Sequence, residues 1–138
     1  MIVLDTNIVA ALMADGADID PWLATVPRHE LYMTVMTRAE IRYGLFRLPA
    51  GRRRSRLTAE ADSLFSETEE RLLSFDAKAA DRYGELVAAR ERAGRRISVA
   101  DAVIASIAWT HRAALATRNV HDFDDCGIQV VNPYAFLW

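Results

Sequence analysis

Four acidic residues, far apart along this chain, stand where carboxylates can do chemistry. Asp5 closes the apolar run Met1-Ile2-Val3-Leu4. Glu40 comes three residues after Thr37, and Asp101 three residues after Ser98. Asp122 lies in a polar stretch just beyond another apolar run, Ala113 to Thr117. Singly, each has a structural explanation. Asp5 can cap the helix that follows it. Glu40 and Asp101 fit capping boxes, in which a carboxylate bonds back to the N–H of the cap residue. Asp122 suits a turn. Together they ask for more. Asp5 follows a first strand, Glu40 a second and Asp122 a fourth. In a parallel sheet the loops after neighbouring strands share one edge, and ligands bind at that edge. Asp101 opens an apolar helix, where an isolated buried carboxylate is costly without a partner.

Carboxylates gathered in one hollow repel, and some take up protons. A divalent cation reverses that preference. Oxygen donors, without paired histidines or cysteines, suit Mg²⁺ or Mn²⁺ rather than zinc. Such an ion can polarise a phosphoryl oxygen and activate water, so the chemistry served is phosphodiester hydrolysis. No nucleophilic side chain is then required. His121 reads as a loop histidine beside Asp122, not as a base.

The elements that must position these acids follow from pattern. The opening apolar run reads as a strand buried on both faces. Thr6-Asn7 caps a helix through Leu12, which Gly16 stops. Asp20-Pro21-Trp22 starts a short helix. Glu30 to Val35 is a second strand, and Thr37-Arg38-Ala39-Glu40 opens a helix through Leu48. Leu57, Ala61, Leu64 and Phe65 mark an amphipathic helix between Arg52 and Glu70. Arg71 to Phe75 is a third strand, and Asp76 caps a helix to about Ala93. Ser98 caps a helix from Val99 to His111 that is apolar almost all round. Ala113 to Thr117 and Ile128 to Val131 are the last strands. Strands alternating with helices predict a three-layer α/β/α fold with a parallel sheet of about five strands.

The 138 residues form one domain, 1–138, with 51% hydrophobic and 26% charged residues. The net charge of -2 leaves room for a local basic patch that attracts nucleic acid. Cys126 is the only cysteine, so an intrachain disulfide is impossible and a reducing cytoplasm is the expected location. The longest uncharged apolar stretch, Ala102 to Trp109, is far short of the ~20 residues that span a bilayer. Neither a targeting segment nor a membrane partner is expected.

At these residues the sequence resembles the PIN domain, specifically the VapC-type toxins of bacterial toxin–antitoxin pairs. The likeness rests on Val3-Leu4-Asp5-Thr6-Asn7, on Thr37 with Glu40, Tyr43 and Gly44, and on Ser98 with Asp101, Ile104 and Ala105. Ala116-Thr117-Arg118-Asn119-Val120-His121-Asp122-Phe123 and Val130-Val131-Asn132-Pro133 complete it. The resemblance implies a Mg²⁺- or Mn²⁺-dependent endoribonuclease toxin. Asp5, Glu40, Asp101 and Asp122 would be its acidic quartet, with Asp5 and Asp101 the direct metal ligands. Thr6, Asn7, Thr117 and Asn119 would support them by hydrogen bonding. It also implies an RNA substrate, a homodimer and a cognate antitoxin that occludes the acidic pocket. Asp124 and Asp125 lie close enough to Asp122 to compete for the fourth place.

Arg52-Arg53-Arg54 with Arg56, and Arg95-Arg96, are basic groups that could meet an RNA backbone. The first set reads more simply as a solvated helix face. Arg95 and Arg96 lie nearer the acids. Trp22, Trp109 and Trp138 read as core or interface residues. Other readings are a receiver-like signalling module and a catalytically silent interaction domain. A receiver normally carries a lysine after its last strand, whereas Lys78 is the only lysine here. A phosphatase with an aspartate nucleophile usually has a second aspartate two positions on, where this chain has Asn7.

Overall fold

A computed structural model describes residues 1–14 and 17–135. The expectations placed on Gly16 and Trp138 lie outside them. Five short strands form one sheet in the order β3-β2-β1-β4-β5, and every pairing is parallel. The strands are β1 (Ile2–Leu4), β2 (Leu31–Thr34), β3 (Leu72–Leu73), β4 (Ala114–Ala116) and β5 (Val130–Val131). Between them run α1 (Thr6–Met13), α2 (Asp20–Leu23), α3 (Val35–Arg47), α4 (Arg52–Glu67), α5 (Ala77–Arg92) and α6 (Val99–Thr110).

Alternation along the strands sorts side chains to two faces. Leu4, Met33 and Ala116 pack with Ile8, Val9, Trp22, Ile41, Leu45, Ala61 and Phe65, so α1 to α4 cover one face. Val3 and Leu115 pack with Leu86, Ile104, Ala105 and Ala108, so α5 and α6 cover the other. The three-layer expectation holds. The chain runs from β1 outward to β3, then crosses back to β4 beside β1. Strand order therefore reverses between β1 and β4. In doubly wound sheets that reversal opens a crevice beyond the carboxyl ends of the two strands.

Several local expectations shift. The strands are shorter than their apolar runs. Asp5 itself caps α1, its side chain accepting the N–H of Thr6, so Thr6-Asn7 is already helical. Ile19 takes the cap position of α2, with Asp20 inside the helix. The α3 helix starts at Val35, and Thr34 is its cap, accepting the Thr37 N–H at 3.1 Å. Glu40 thus lies a turn further in and is no part of a capping box. The Asp76 and Ser98 caps are found as expected. The α6 helix is fully buried from Ala102 to Ala108, but its ends emerge: Val99 is 64% and Trp109 41% exposed. Trp22 is in the core, whereas Trp109 lies at the surface under the guanidinium of Arg82.

Candidate functional site

Asp5 sits at the β1–β4 crevice. Its backbone N–H donates to the carbonyl of Ala116 at 2.9 Å, which extends the ladder by one bond. Its side chain is buried and accepts three hydrogen bonds. Oδ1 receives the Thr6 N–H at 2.8 Å, while Oδ2 receives the Thr117 hydroxyl at 2.7 Å and the Asn7 amide at 3.3 Å. Thr117 follows β4, so two neighbouring strand ends clamp one carboxylate. The clamp is itself braced. Asn7 Nδ2 also donates to Thr117 Oγ1, the Asn119 N–H donates to the same oxygen, and the Arg118 N–H donates to Asn7 Oδ1. The four residues expected to support the acids are therefore all placed around them, Asn119 through its backbone.

Thr6 serves the second acid. Its hydroxyl donates to Glu40 Oε1 at 2.6 Å and lies 3.0 Å from the hydroxyl of Thr37. Thr37 is fully buried. Its place in this relay was missed in the sequence, where it looked like a cap residue.

Asp101 occupies the first turn of α6, with its N–H donated to Ser98 Oγ at 3.1 Å. Burial, then the charge of Asp5, pushes its carboxyl up to about 6; Asp122 and Glu40 add to the rise, while Ser98 opposes it. Burial also raises Asp5, against its hydrogen bonds to Thr117, Thr6 and Asn7, and the charge of Asp122 adds to the rise. Asp122 itself is exposed, on the helical turn Val120–Phe123. The four acids thus share one negative field at one rim of the sheet. They do not close into a cage: among the described residues, no three His, Cys, Asp or Glu side chains are placed to hold a metal ion.

The neighbouring acids are committed elsewhere. Asp125 pairs with Arg95 at 2.9 Å, and Asp124 stands 3.6 Å from Arg95 and 3.3 Å from His121. Only Asp122 of the three acts on Asp5 and Asp101 by charge. Arg95, expected at the RNA, is occupied by these pairs, whereas Arg96 is exposed. A cleft of about 720 Å³, lined by residues including Lys78, Arg82, Trp109 and Arg112, touches the start of β4 at the opposite end of the sheet, and none of the four acids lines it.

Known proteins are similar to this chain over nearly its whole length. VapC ribonuclease Y4jK of Sinorhizobium fredii is 35% identical over 140 residues, covering 97% of this chain and 98% of that one. Toxin FitB of Neisseria gonorrhoeae is 28% identical over 137 residues, covering 97% and 99%. The crystal structure of FitAcB from Neisseria gonorrhoeae superposes with a TM-score of 0.90 at 28% identity, covering 99% of this chain and 100% of that one. Residues 2–127 match the PIN domain, and the chain belongs to that family.

Proposed function

We propose that this protein is a metal-dependent endoribonuclease and the toxin of a toxin–antitoxin pair. The observation that carries the reading is the gathering of Asp5, Glu40, Asp101 and Asp122 at the β1–β4 crevice, where burial first, and then the charges of Asp5, Asp122 and Glu40, push Asp101 up to about 6. Carboxylates that raise one another in this way suit a site that takes up a cation. The likeness to a protein named VapC ribonuclease and to one named Toxin FitB supports RNA as substrate and growth inhibition as outcome. Structures such as VapBC2 from Rickettsia felis support a partner antitoxin. A homodimer in the cytoplasm completes the proposal. No helix among the described residues is long and apolar enough to cross a membrane.

The donor set fits a hard dication. Every nearby ligand atom is oxygen, and Mg²⁺ keeps most of its waters while touching one or two carboxylates. That habit suits acids that share a rim without forming a cage. Asp5 and Asp101 are the ligands proposed. A carboxylate offers about four lone-pair sites. Asp5 uses three of them, which leaves room for an ion. When bound, the ion would polarise a phosphoryl oxygen and make its water a stronger nucleophile. The chain's own residues do the rest. Thr117, Asn7 and the Thr6 N–H fix both oxygens of Asp5, and Thr6 fixes Glu40. Such preset groups cost no reorganisation as charge develops.

The test is Asp5→Asn, which keeps the shape of the side chain. Purified with Mg²⁺ or Mn²⁺, this variant should fold, fail to cut RNA and fail to arrest growth. Cleavage at the normal rate would refute the reading. Absence of Mg²⁺ and Mn²⁺ binding at millimolar metal would instead favour a silent interaction domain.

A further inference from the structure

Arg90 is the one arginine in the buried set of the described residues, at 7% exposure, on the inner face of α5. An unpaired guanidinium is costly to bury, so its contacts have to account for it. No carboxylate among the described residues does. Nε donates to the carbonyl of Arg95 at 2.7 Å. Nη1 faces the carbonyls of Asp124 at 2.9 Å and Asp122 at 3.3 Å, and the thiol of Cys126 at 3.6 Å. The Arg95 N–H returns a bond to the Arg90 carbonyl at 2.9 Å.

These acceptors belong to two segments. One is the link that carries the chain from α5 over Gly94, at φ 72°, towards Ser98 and Asp101. The other is the irregular loop that bears Asp122. That loop is made of short turns, with the Asp122, Asp124 and Cys126 N–H groups bonded only within the loop and Phe123 and Cys126 packed in the core, so Arg90 supplies a side-chain tie to α5. A planar guanidinium with five donors in a fixed fork is suited to the task, whereas an ammonium is a point charge on a flexible stem. Arg95 joins the same segments through Asp124 and Asp125, but its pairs are exposed and contribute little.

We infer that Arg90 is a positioning residue for the cleavage proposed above: its buried fork sets the Asp122 loop against the segment leading to Asp101. The inference rests on that reading of the acids. It places Arg90 away from substrate, acting through Asp122.

The experiment is a double-mutant cycle on the full chain. Cleavage of a defined RNA is measured for the wild type, Arg90→Lys, Asp122→Asn and the pair, with thermal melts of each. Arg90→Lys should lower kcat about tenfold with KM nearly unchanged, since small misplacements of a reacting group cost that much or more. In the Asp122→Asn background the same change should cost nothing further. Wild-type kcat in Arg90→Lys, or losses that multiply in the pair, would overturn the inference. Wild-type cleavage by Asp122→Asn would overturn the role given to Asp122, and the inference with it. If Arg90→Lys fails to fold, Arg90→Gln takes its place; if both fail, Arg90 is a structural residue only and the inference falls.

Discussion

The hydroxyl of Thr117 donates to Oδ2 of Asp5 at 2.7 Å, across 112 positions of sequence. Both groups are buried, and both follow directly from adjacent parallel strands. The bond joins the end of β1 to the end of β4 and fixes the carboxylate at the centre of the acidic rim.

Thr117→Val keeps the shape and removes the hydroxyl. It strips Asp5 of a donor and leaves the Asn7 amide and the Asn119 N–H short of an acceptor. The expected loss of stability is about 1–3 kcal/mol, the usual cost of stranding buried polar groups. Urea denaturation measures it. Cleavage should fall as well, because Asp5 is no longer held in one orientation.

Stability should depend on pH in a particular direction. In the fold Asp101 keeps its proton up to about 6, against 3.8 as the ordinary value. Its contribution is therefore complete below 3.8 and is lost as pH rises through about 6. Asp5 is raised in the same sense. The metal-free protein should melt at a lower temperature at neutral pH than in mild acid. Asp101→Asn should flatten that slope, and millimolar Mg²⁺ should stabilise the wild type more at neutral pH than in acid. A metal-free melting temperature that rises from mild acid to neutrality in the wild type, and not in Asp101→Asn, would contradict this account.

Thr6 bridges two acids: its N–H goes to Asp5 and its hydroxyl to Glu40. Thr6→Val should leave the Asp5 contact intact and release Glu40. Cleavage should drop several-fold, and Thr6→Ser should restore most of it. Equal activity in all three proteins would show that Glu40 needs no such tether.

Phe65 tests stability apart from chemistry. It is 3% exposed, and the guanidinium groups of Arg38 and Arg42 each stand 4.9 Å from its ring centre. Phe65→Ala should cost about 3–5 kcal/mol, as for large aromatic truncations. At low temperature, activity per folded molecule should stay near that of the wild type.

The architecture was legible because the strands are short, mostly apolar runs and the helices carry clear caps at Asp76 and Ser98. The acids were legible because parallel strand direction alone steers Asp5, Glu40 and Asp122 to one edge. The start of α3 was not. Thr34 and Thr37 both carry hydroxyls at cap spacing, and only the fold decides which one is used. Glu40 thereby looked half structural and is free of that duty. Arg90 also escaped notice, since arginine in a helix normally means surface. A signal was present: Ala79, Leu86 and Arg90 fall on one helical stripe, and that stripe is buried.

The position of β1 in mid-sheet has a consequence for synthesis. The strand made first must wait for a neighbour made more than a hundred residues later. While the ribosome has yet to release Thr117 and Asp122, Asp5 lacks its clamp and the rim lacks its fourth charge. The Asp5 carboxylate therefore gains its full set of partners only once β4 has been made and paired beside β1.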